Sequence, residues 1–405
     1  MVRLAVHHRT GIHLIAVALA VAFAAGCGRS PLSSAPHGVS RVERTDSVWA
    51  LHATWASYQR DFIQGDGRVI DHQRNQETTS EGQSYAMLRA VWLDDRPTFD
   101  RVWMWTKSNL QVIGSALFGY LWGPRPDGRY TLLSDHSASD ADEDIALALL
   151  FATARWHDDG YRHQASSILT DIWRDEVTEV RGVPYLTAGN WAPQQPQPGP
   201  AFNPSYLAPY AYRIFARADT AHNWSALATS SYQLLDACTT SRLGDGASAG
   251  LPPNWCSLDR TTGGVVPLSQ VHDANSYGFD AFRVMWRVAL DVRWNQSIAG
   301  RDYLMRNDFL RRQWSAHHSL ASVYHHDGTV EGGSESVAAY GGSVGNFVIG
   351  NQAEATVIVR DKLLGALREE GSTVSWGERA NYYSQNWAWF GVALVAGQLP
   401  QLATG

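Results

Sequence analysis

The sequence predicts an all-α fold, and three observations carry the prediction. Apolar and aromatic residues recur at the i, i+3, i+4, i+7 spacing of a single helix face along much of the chain. Strand-like alternation is sparse. Polar turns such as Gly65-Asp66-Gly67 and Asp158-Asp159-Gly160 punctuate the periodic segments.

In chain order, Trp55, Tyr58 and Phe62 define a first helix, and Tyr85, Leu88 and Trp92 a second. Ala148, Leu149, Ala152 and Trp156 mark a third. Ile168, Leu169, Ile172 and Trp173 mark a fourth, and Phe282, Met285, Trp286 and Ala289 a fifth. Residues 191–209 are Pro-rich but hold aromatics, and read as a long ordered loop. No repeat recurs at a fixed period. One folded domain is expected over residues 46–400, with a site built at one end of the helices.

The 405-residue chain can bury a large core, and 44% hydrophobic against 18% charged residues is a globular composition. The formal net charge is −6 with no Lys/Arg cluster, so no nucleic-acid partner is expected. The unusual feature is 17 Trp beside 16 Tyr and 12 Phe. Aromatic faces fill cores, and they also make flat platforms for the C–H faces of sugar rings. Most of the Trp are expected in the core and a minority along a cleft.

The N-terminus reads as an export signal. Arg3 and Arg9 precede a short apolar run over residues 14–25, which is too short to span a bilayer comfortably. Ala24-Ala25-Gly26 then Cys27 resembles a lipoprotein signal with Cys27 as the lipidated residue. Ordinary cleavage after Ala22-Phe23-Ala24 is the alternative, giving a secreted or periplasmic protein rather than one anchored to the cell envelope. Residues 28–45, rich in Ser, Pro and Gly, read as a flexible tether after a signal over residues 1–27. Cys238 and Cys256 remain; they could close a disulfide in an oxidising compartment or stay as two thiols.

Three acidic segments stand out. Glu81, in Ser80-Glu81-Gly82-Gln83-Ser84-Tyr85, opens a helix, where an acid complements the macrodipole and Ser80 can cap. Asp140, Asp142, Glu143 and Asp144 precede the nearly all-apolar stretch 145–152. Capping by Ser139 needs one or two acids rather than four, and a helix so apolar is buried on most sides. Calcium binding is the lesser reading, since the Asp-x-Asp-x-Asp-Gly loop is missing. Asp280 and Arg283, in Tyr277-Gly278-Phe279-Asp280-Ala281-Phe282-Arg283, share a helix face at i, i+3; the aromatic setting favours a partly buried pair over a surface one.

Together these segments resemble glycoside hydrolase family 8, the bacterial cellulase, xylanase and chitosanase family. Ala138-Ser139-Asp140-Ala141-Asp142, then Ile145-Ala146, Ala148-Leu149-Leu150, Ala152 and Trp156, carries the most specific likeness. Gly67-Arg68-Val69-Ile70-Asp71, Phe202-Asn203-Pro204-Ser205-Tyr206 and Asn381-Tyr382-Tyr383 also resemble family stretches, so that the likeness runs over roughly residues 49–395. The resemblance implies an (α/α)6 barrel with a cleft across one end. It implies an inverting, endo-acting hydrolase of a β-1,4-linked polysaccharide, with Glu81 as general acid and Asp280 as general base. Asp140 would bind and distort the sugar at the cleavage point. Trp122, Tyr206, Tyr277 and Arg283 would line the subsites. β-1,4-Glucan is the expected substrate, with xylan, mixed-linkage β-glucan and chitosan open. A non-catalytic glycan-binding protein is the alternative, and loss of one carboxylate would mark it. No metal or cofactor is called for, and a monomer is expected. The acid must hold a raised pKa, and an inverting pair stands about 6.5–9.5 Å apart to admit a water.

Two other motifs compete. Gly341-Gly342-Ser343-Val344-Gly345 matches the G-x-S-x-G elbow, but no convincing strand precedes it, so it reads as a Gly-rich loop. His317-His318 and His325-His326 lack a thiolate or an H-E-x-x-H pattern and read as loop or packing histidines.

Overall fold

Helices that are apolar on every side must be covered on every side, and this chain alternates such helices with one-faced ones. The computed structural model describes residues 47–195, 198–244 and 246–403. Cys27 and the signal and tether expected over residues 1–45 lie outside the described residues. In chain order the helices are α1 (Ser47–Phe62), α2 (Ser80–Trp92), α3 (Arg96–Leu110), α4 (Ser139–Trp156) and α5 (Asp159–Asp175). Then come α6 (Pro209–Ala218), α7 (Trp224–Thr240), α8 (Phe282–Asn295), α9 (Ile298–Arg306) and α10 (Phe309–His317). The last are α11 (Val337–Gly350), α12 (Gln352–Ile358) and α13 (Tyr382–Val395).

Helices α2, α4, α6, α8, α11 and α13 pack in that order into a closed inner ring, α13 returning to α2. Five have an outer partner next in the chain, α3 on α2, α5 on α4, α7 on α6, α9 on α8 and α12 on α11, while α13 takes α1 from the other end of the sequence. This is the (α/α)6 barrel. The sequence decides which ring a helix joins. In α4 every residue from Ser139 to Thr153 is buried, and each buried Leu or Ile there stabilises the barrel by about 1.5–3 kcal/mol. In α5 only Tyr161, Ala165, Ile168, Leu169, Asp171 and Ile172 are buried, a single stripe for an outer helix. Asp158 caps the start of α5, accepting from Gly160 N. Most of the tryptophans are core, among them Trp224, Trp376, Trp387 and Trp389.

One expectation fails. Gly341 to Gly345 is not a loop but the buried interior of α11. Glycine costs a helix roughly 1 kcal/mol per residue, yet here it lets neighbours approach closely. A Cβ on Gly345 would overlap the Met285 carbonyl of α8, and one on Gly341 the Trp387 carbonyl of α13. Gly391 of α13 faces Gly341 in turn. Ser343 is buried and its hydroxyl meets the Tyr277 hydroxyl at 2.7 Å. The neighbouring histidines do not converge: His325 faces Glu331 at 3.4 Å and His326 the Ser241 carbonyl at 2.9 Å.

Small sheets edge the site. Strand β1 (Thr78–Thr79) pairs with β2 (Gly119–Pro124), and β2 with β3 (Tyr130–Ser137), all antiparallel. The pairs Thr78↔Trp122 and Gly119↔Ser137 tie this sheet to the starts of α2 and α4. A hairpin of β4 (Val177–Val180) and β5 (Val183–Leu186) follows α5. Strands β6 (Ala201–Phe202), β7 (Cys256–Leu258) and β8 (Val265–Val266) form a second three-stranded sheet. Cys256 of β7 is bridged to Cys238 of α7, Cα atoms 6.4 Å apart.

The acids at the head of α4 divide their tasks. Asp144 pairs with Arg287 at 2.8 Å and accepts from the Tyr210 hydroxyl at 3.0 Å. Asp142 Oδ1 accepts from Phe118 N at 3.0 Å, and its carboxyl also hydrogen-bonds the Glu176 carboxyl. Glu176 Oε1 accepts from Ser137 at 2.5 Å. Asp142 Oδ2 and Glu176 Oε2 have no N–H or O–H donor from elsewhere in the protein, and both side chains are fully buried. Two carboxyls can bond only through a shared proton. Burial first, and then Glu176, pushes Asp142 well above the carboxylate range; burial pushes Glu176 from 4.5 to about 8.

Two outcomes follow from this packing. Gly345→Ala should cost about 1–3 kcal/mol in a denaturant melt, through overlap with α8. For the carboxyl pair, the folded-state pKa lies above the unfolded one. The stability it contributes is therefore full below about 4.5 and is lost as pH rises through about 8. Glu176→Gln supplies an N–H in place of the shared proton, so its Tm should fall less than wild type between pH 5 and pH 8.5.

Candidate active site

The inner ring gathers the starts of α2, α4, α8 and α13 at one end. Glu81 is the second residue of α2, whose cap is Thr79, accepting from Gly82 N at 3.0 Å. The expected cap, Ser80, does not serve; its hydroxyl has no protein partner. Gln83 pins this turn, accepting from Val69 N at 2.6 Å and donating to Thr106 Oγ1 at 2.7 Å. Asp140 is the second residue of α4. Ser139 does not cap that helix but donates to the Thr187 carbonyl at 2.6 Å, tying α4 to the loop after β5. Asp280 sits in the turn leading into α8. The Asn254 side-chain carbonyl accepts from Gly278 N at 3.2 Å and Ala281 N at 3.0 Å and fixes that turn.

One guanidinium joins the three acids. Arg283 Nη1 donates to Glu81 Oε2 at 2.7 Å, Asp140 Oδ2 at 3.0 Å and the Tyr85 hydroxyl at 3.1 Å. Its Nη2 donates to Asp280 Oδ1 at 2.6 Å. The Arg283 side chain is wholly buried, whereas those of Glu81 and Asp280 keep 14% and 18% exposure. Glu81 and Asp280 therefore present an open side while Arg283 and Asp140 form the floor. The i, i+3 pair of the sequence is partly buried, and its guanidinium reaches two further carboxyls.

The other ligands of the two open carboxyls differ. Glu81 Oε1 accepts from the Tyr382 hydroxyl at 3.0 Å. Asp280 Oδ2 accepts from Trp255 Nε1 at 3.1 Å, and the Asn203 side chain faces the same carboxyl. Burial pushes the carboxyls of Glu81, Asp140 and Asp280 upward, and Arg283 pulls each back by less. Asp140 reaches about 6. A single positive charge faces three carboxyls here, so burial and their mutual repulsion outweigh it and leave all three raised.

Aromatic side chains flank the acids. Trp122, opposite Thr78 in the sheet, stacks on Tyr130 with centroids 4.9 Å apart. The Arg68 guanidinium lies 4.4 Å from the Trp122 ring. Tyr206 is buried beside Arg283, its ring 5.2 Å from that guanidinium, and packs edge-on to Trp255. Tyr277 departs from its expected place. It is 1% exposed and its hydroxyl is bonded to Ser343, so it supports the Asp280 turn from beneath. Trp255, Asn203 and Tyr382 reach the acids although the sequence assigned them no role. Asn203 and Tyr382 lay in stretches already noted; for Trp255 the only local signal is its neighbour Cys256.

The comparisons with known proteins agree with this geometry. The profile of glycosyl hydrolases family 8 matches residues 42–385. An endoglucanase of Pseudomonas fluorescens (strain SBW25) is 36% identical over 257 residues, 59% of this chain and 59% of that one. The chain thus matches about six tenths of the length of such curated relatives. Among solved structures, an endo-1,4-D-glucanase from Vibrio fischeri ES114 has a TM-score of 0.69 at 23% identity, covering 84% of this chain and 93% of that one. A β-1,3-1,4-glucanase from Paenibacillus sp. X4 has a TM-score of 0.73 at 21% identity, covering 90% and 96%. These two share the fold. With the profile spanning most of the sequence, the chain belongs to glycosyl hydrolases family 8.

Proposed function

We propose that this chain is an inverting endo-β-1,4-glucanase in which Glu81 is the general acid and Asp280 the general base. The observation that carries the reading is the placement of two partly open carboxyls on the two arms of one buried guanidinium. The Arg283 group stands between them, so the carboxyls are held apart, as a pair that must admit a water requires.

The donors distinguish the roles. Asp280 is contacted by groups that can only donate, Arg283 Nη2 and Trp255 Nε1. Such a shell suits an ionised carboxylate. Glu81 Oε1 meets a tyrosine hydroxyl, which can donate or accept and so tolerates a protonated carboxyl. Glu81 gives its proton to the glycosidic oxygen as the bond from that oxygen to the anomeric carbon breaks. Asp280 takes a proton from the water that forms the new bond on the opposite face of the sugar. Asp140, held by Arg283 beneath the site, anchors the ring being cleaved, and Trp122 offers a platform for a further sugar.

The endoglucanase relatives support β-1,4-glucan as the substrate. The Cys238–Cys256 bridge supports export, since such bonds persist in oxidising compartments. Lipidation at Cys27 completes the proposal for localisation, and incorporation of a labelled fatty acid into the wild type but not Cys27→Ala tests it.

The decisive assay is reducing-end release from carboxymethylcellulose, xylan, barley β-glucan and chitosan by residues 28–405. Carboxymethylcellulose should be cleaved, with a bell-shaped pH profile. Glu81→Gln should lower kcat by about 10²–10⁴-fold while polymer binding persists. Wild-type turnover in that variant, or cleavage of xylan or chitosan alone, would overturn the assignment.

A further inference from the structure

Three consecutive residues opposite the Asp280 turn act on it in three ways. Asn254 clamps the backbone on both sides of Asp280 through Gly278 N and Ala281 N. Trp255, 4% exposed, donates its indole N–H to Asp280 Oδ2 at 3.1 Å. Cys256 is fastened to α7 through the disulfide to Cys238. The segment is also held along its backbone, with Asn254 N on Ser276 O and Trp255 N on Ala274 O, each at 2.8 Å. Register in the sheet sets Cys256 opposite Phe202, next to Asn203, whose side chain faces Asp280. The disulfide therefore anchors the residue next to Trp255, the indole donor that meets this carboxylate.

We infer that Trp255 is a positioning residue for the base, and that the Cys238–Cys256 bridge holds it in place. The inference rests on Asp280 being the base. A carboxylate beside Asp140 and Glu81 needs donors to stay ionised, and a second cation there would blunt its basicity. A neutral indole N–H avoids that cost. It fixes Oδ2 while Arg283 fixes Oδ1, so the plane of the carboxylate is set from two sides and a lone pair on each oxygen is left for the attacking water. The groups facing Asp280 are Arg283 on its own helix, Asp140 from α4, Glu81 from α2, Tyr383 from α13, and Tyr206, Asn203 and Trp255 from the loops. Trp255→Phe removes the indole donor while keeping an aromatic ring in the packing against Tyr206.

The test compares wild type, Trp255→Phe, the double variant Cys238→Ala with Cys256→Ala, and Asp280→Asn, each checked for fold by circular dichroism. Steady-state kinetics on carboxymethylcellulose are run from pH 4 to 9. Trp255→Phe should move the acidic limb of kcat upward by about half to one pH unit and lower kcat at pH 5 by about tenfold, with KM within about twofold. The disulfide variant should move the limb the same way by less, and it carries the test if Trp255→Phe does not fold. An acidic limb that stays in place in both variants, while Asp280→Asn is inactive, overturns this inference alone. An active Asp280→Asn overturns the base assignment, and the inference with it.

Discussion

A buried guanidinium shared by three carboxyls is the constraint on which the rest of this structure depends. Arg283 lies at the closed end of the site with no exposure, and its donors reach α2, α4 and the head of α8. Burying that charge alone would cost several kcal/mol, and burying three carboxylates without it would cost more. The group is thus both glue and electrostatic reference. It fixes where Glu81, Asp140 and Asp280 stand, and because one charge faces three acids, it leaves all three carboxyls raised.

The barrel makes this arrangement affordable. Glu81 and Asp140 each sit in the first turn of an inner helix, where the macrodipole favours negative charge. The acids following Asp140 are buried as well, and two of them are matched in different ways. Asp144 takes Arg287, while Asp142 shares a proton with Glu176. The head of α4 therefore carries four acids without four uncompensated charges. Opposite it, the glycines of α11 let that helix close against α8 and α13, which brings Asp280 and Tyr382 to the same end.

The legible parts of the sequence were those with a local signature. Helical periodicity revealed α1, α2, α4, α5 and α8, and the acid-rich head of an apolar helix singled out the run that holds Asp140. The i, i+3 spacing showed that Asp280 and Arg283 pair. It could not show the bonds from Arg283 to Glu81 and Asp140, which lie 202 and 143 residues away. Trp255 was invisible for the same reason, since its partner is 25 residues on and no period links them. Ser80 and Ser139 resemble caps locally, yet Thr79 caps one helix and tertiary contact with Thr187 claims the other serine. Gly341 to Gly345 misled because helix propensity is weak against tight packing. Tyr277 misled because its segment is rich in functional residues, whereas its own hydroxyl is turned inward to Ser343.

The most direct test is the turnover of Arg283→Lys on carboxymethylcellulose, measured beside its thermal melt. Lysine keeps the charge but cannot fork between the arms that hold Glu81 and Asp280. The account predicts a folded protein whose kcat is lower by about 10²–10³-fold. A folded variant with kcat within about threefold of wild type would show that charge alone is enough, and would contradict the claim that the geometry of one guanidinium organises the site.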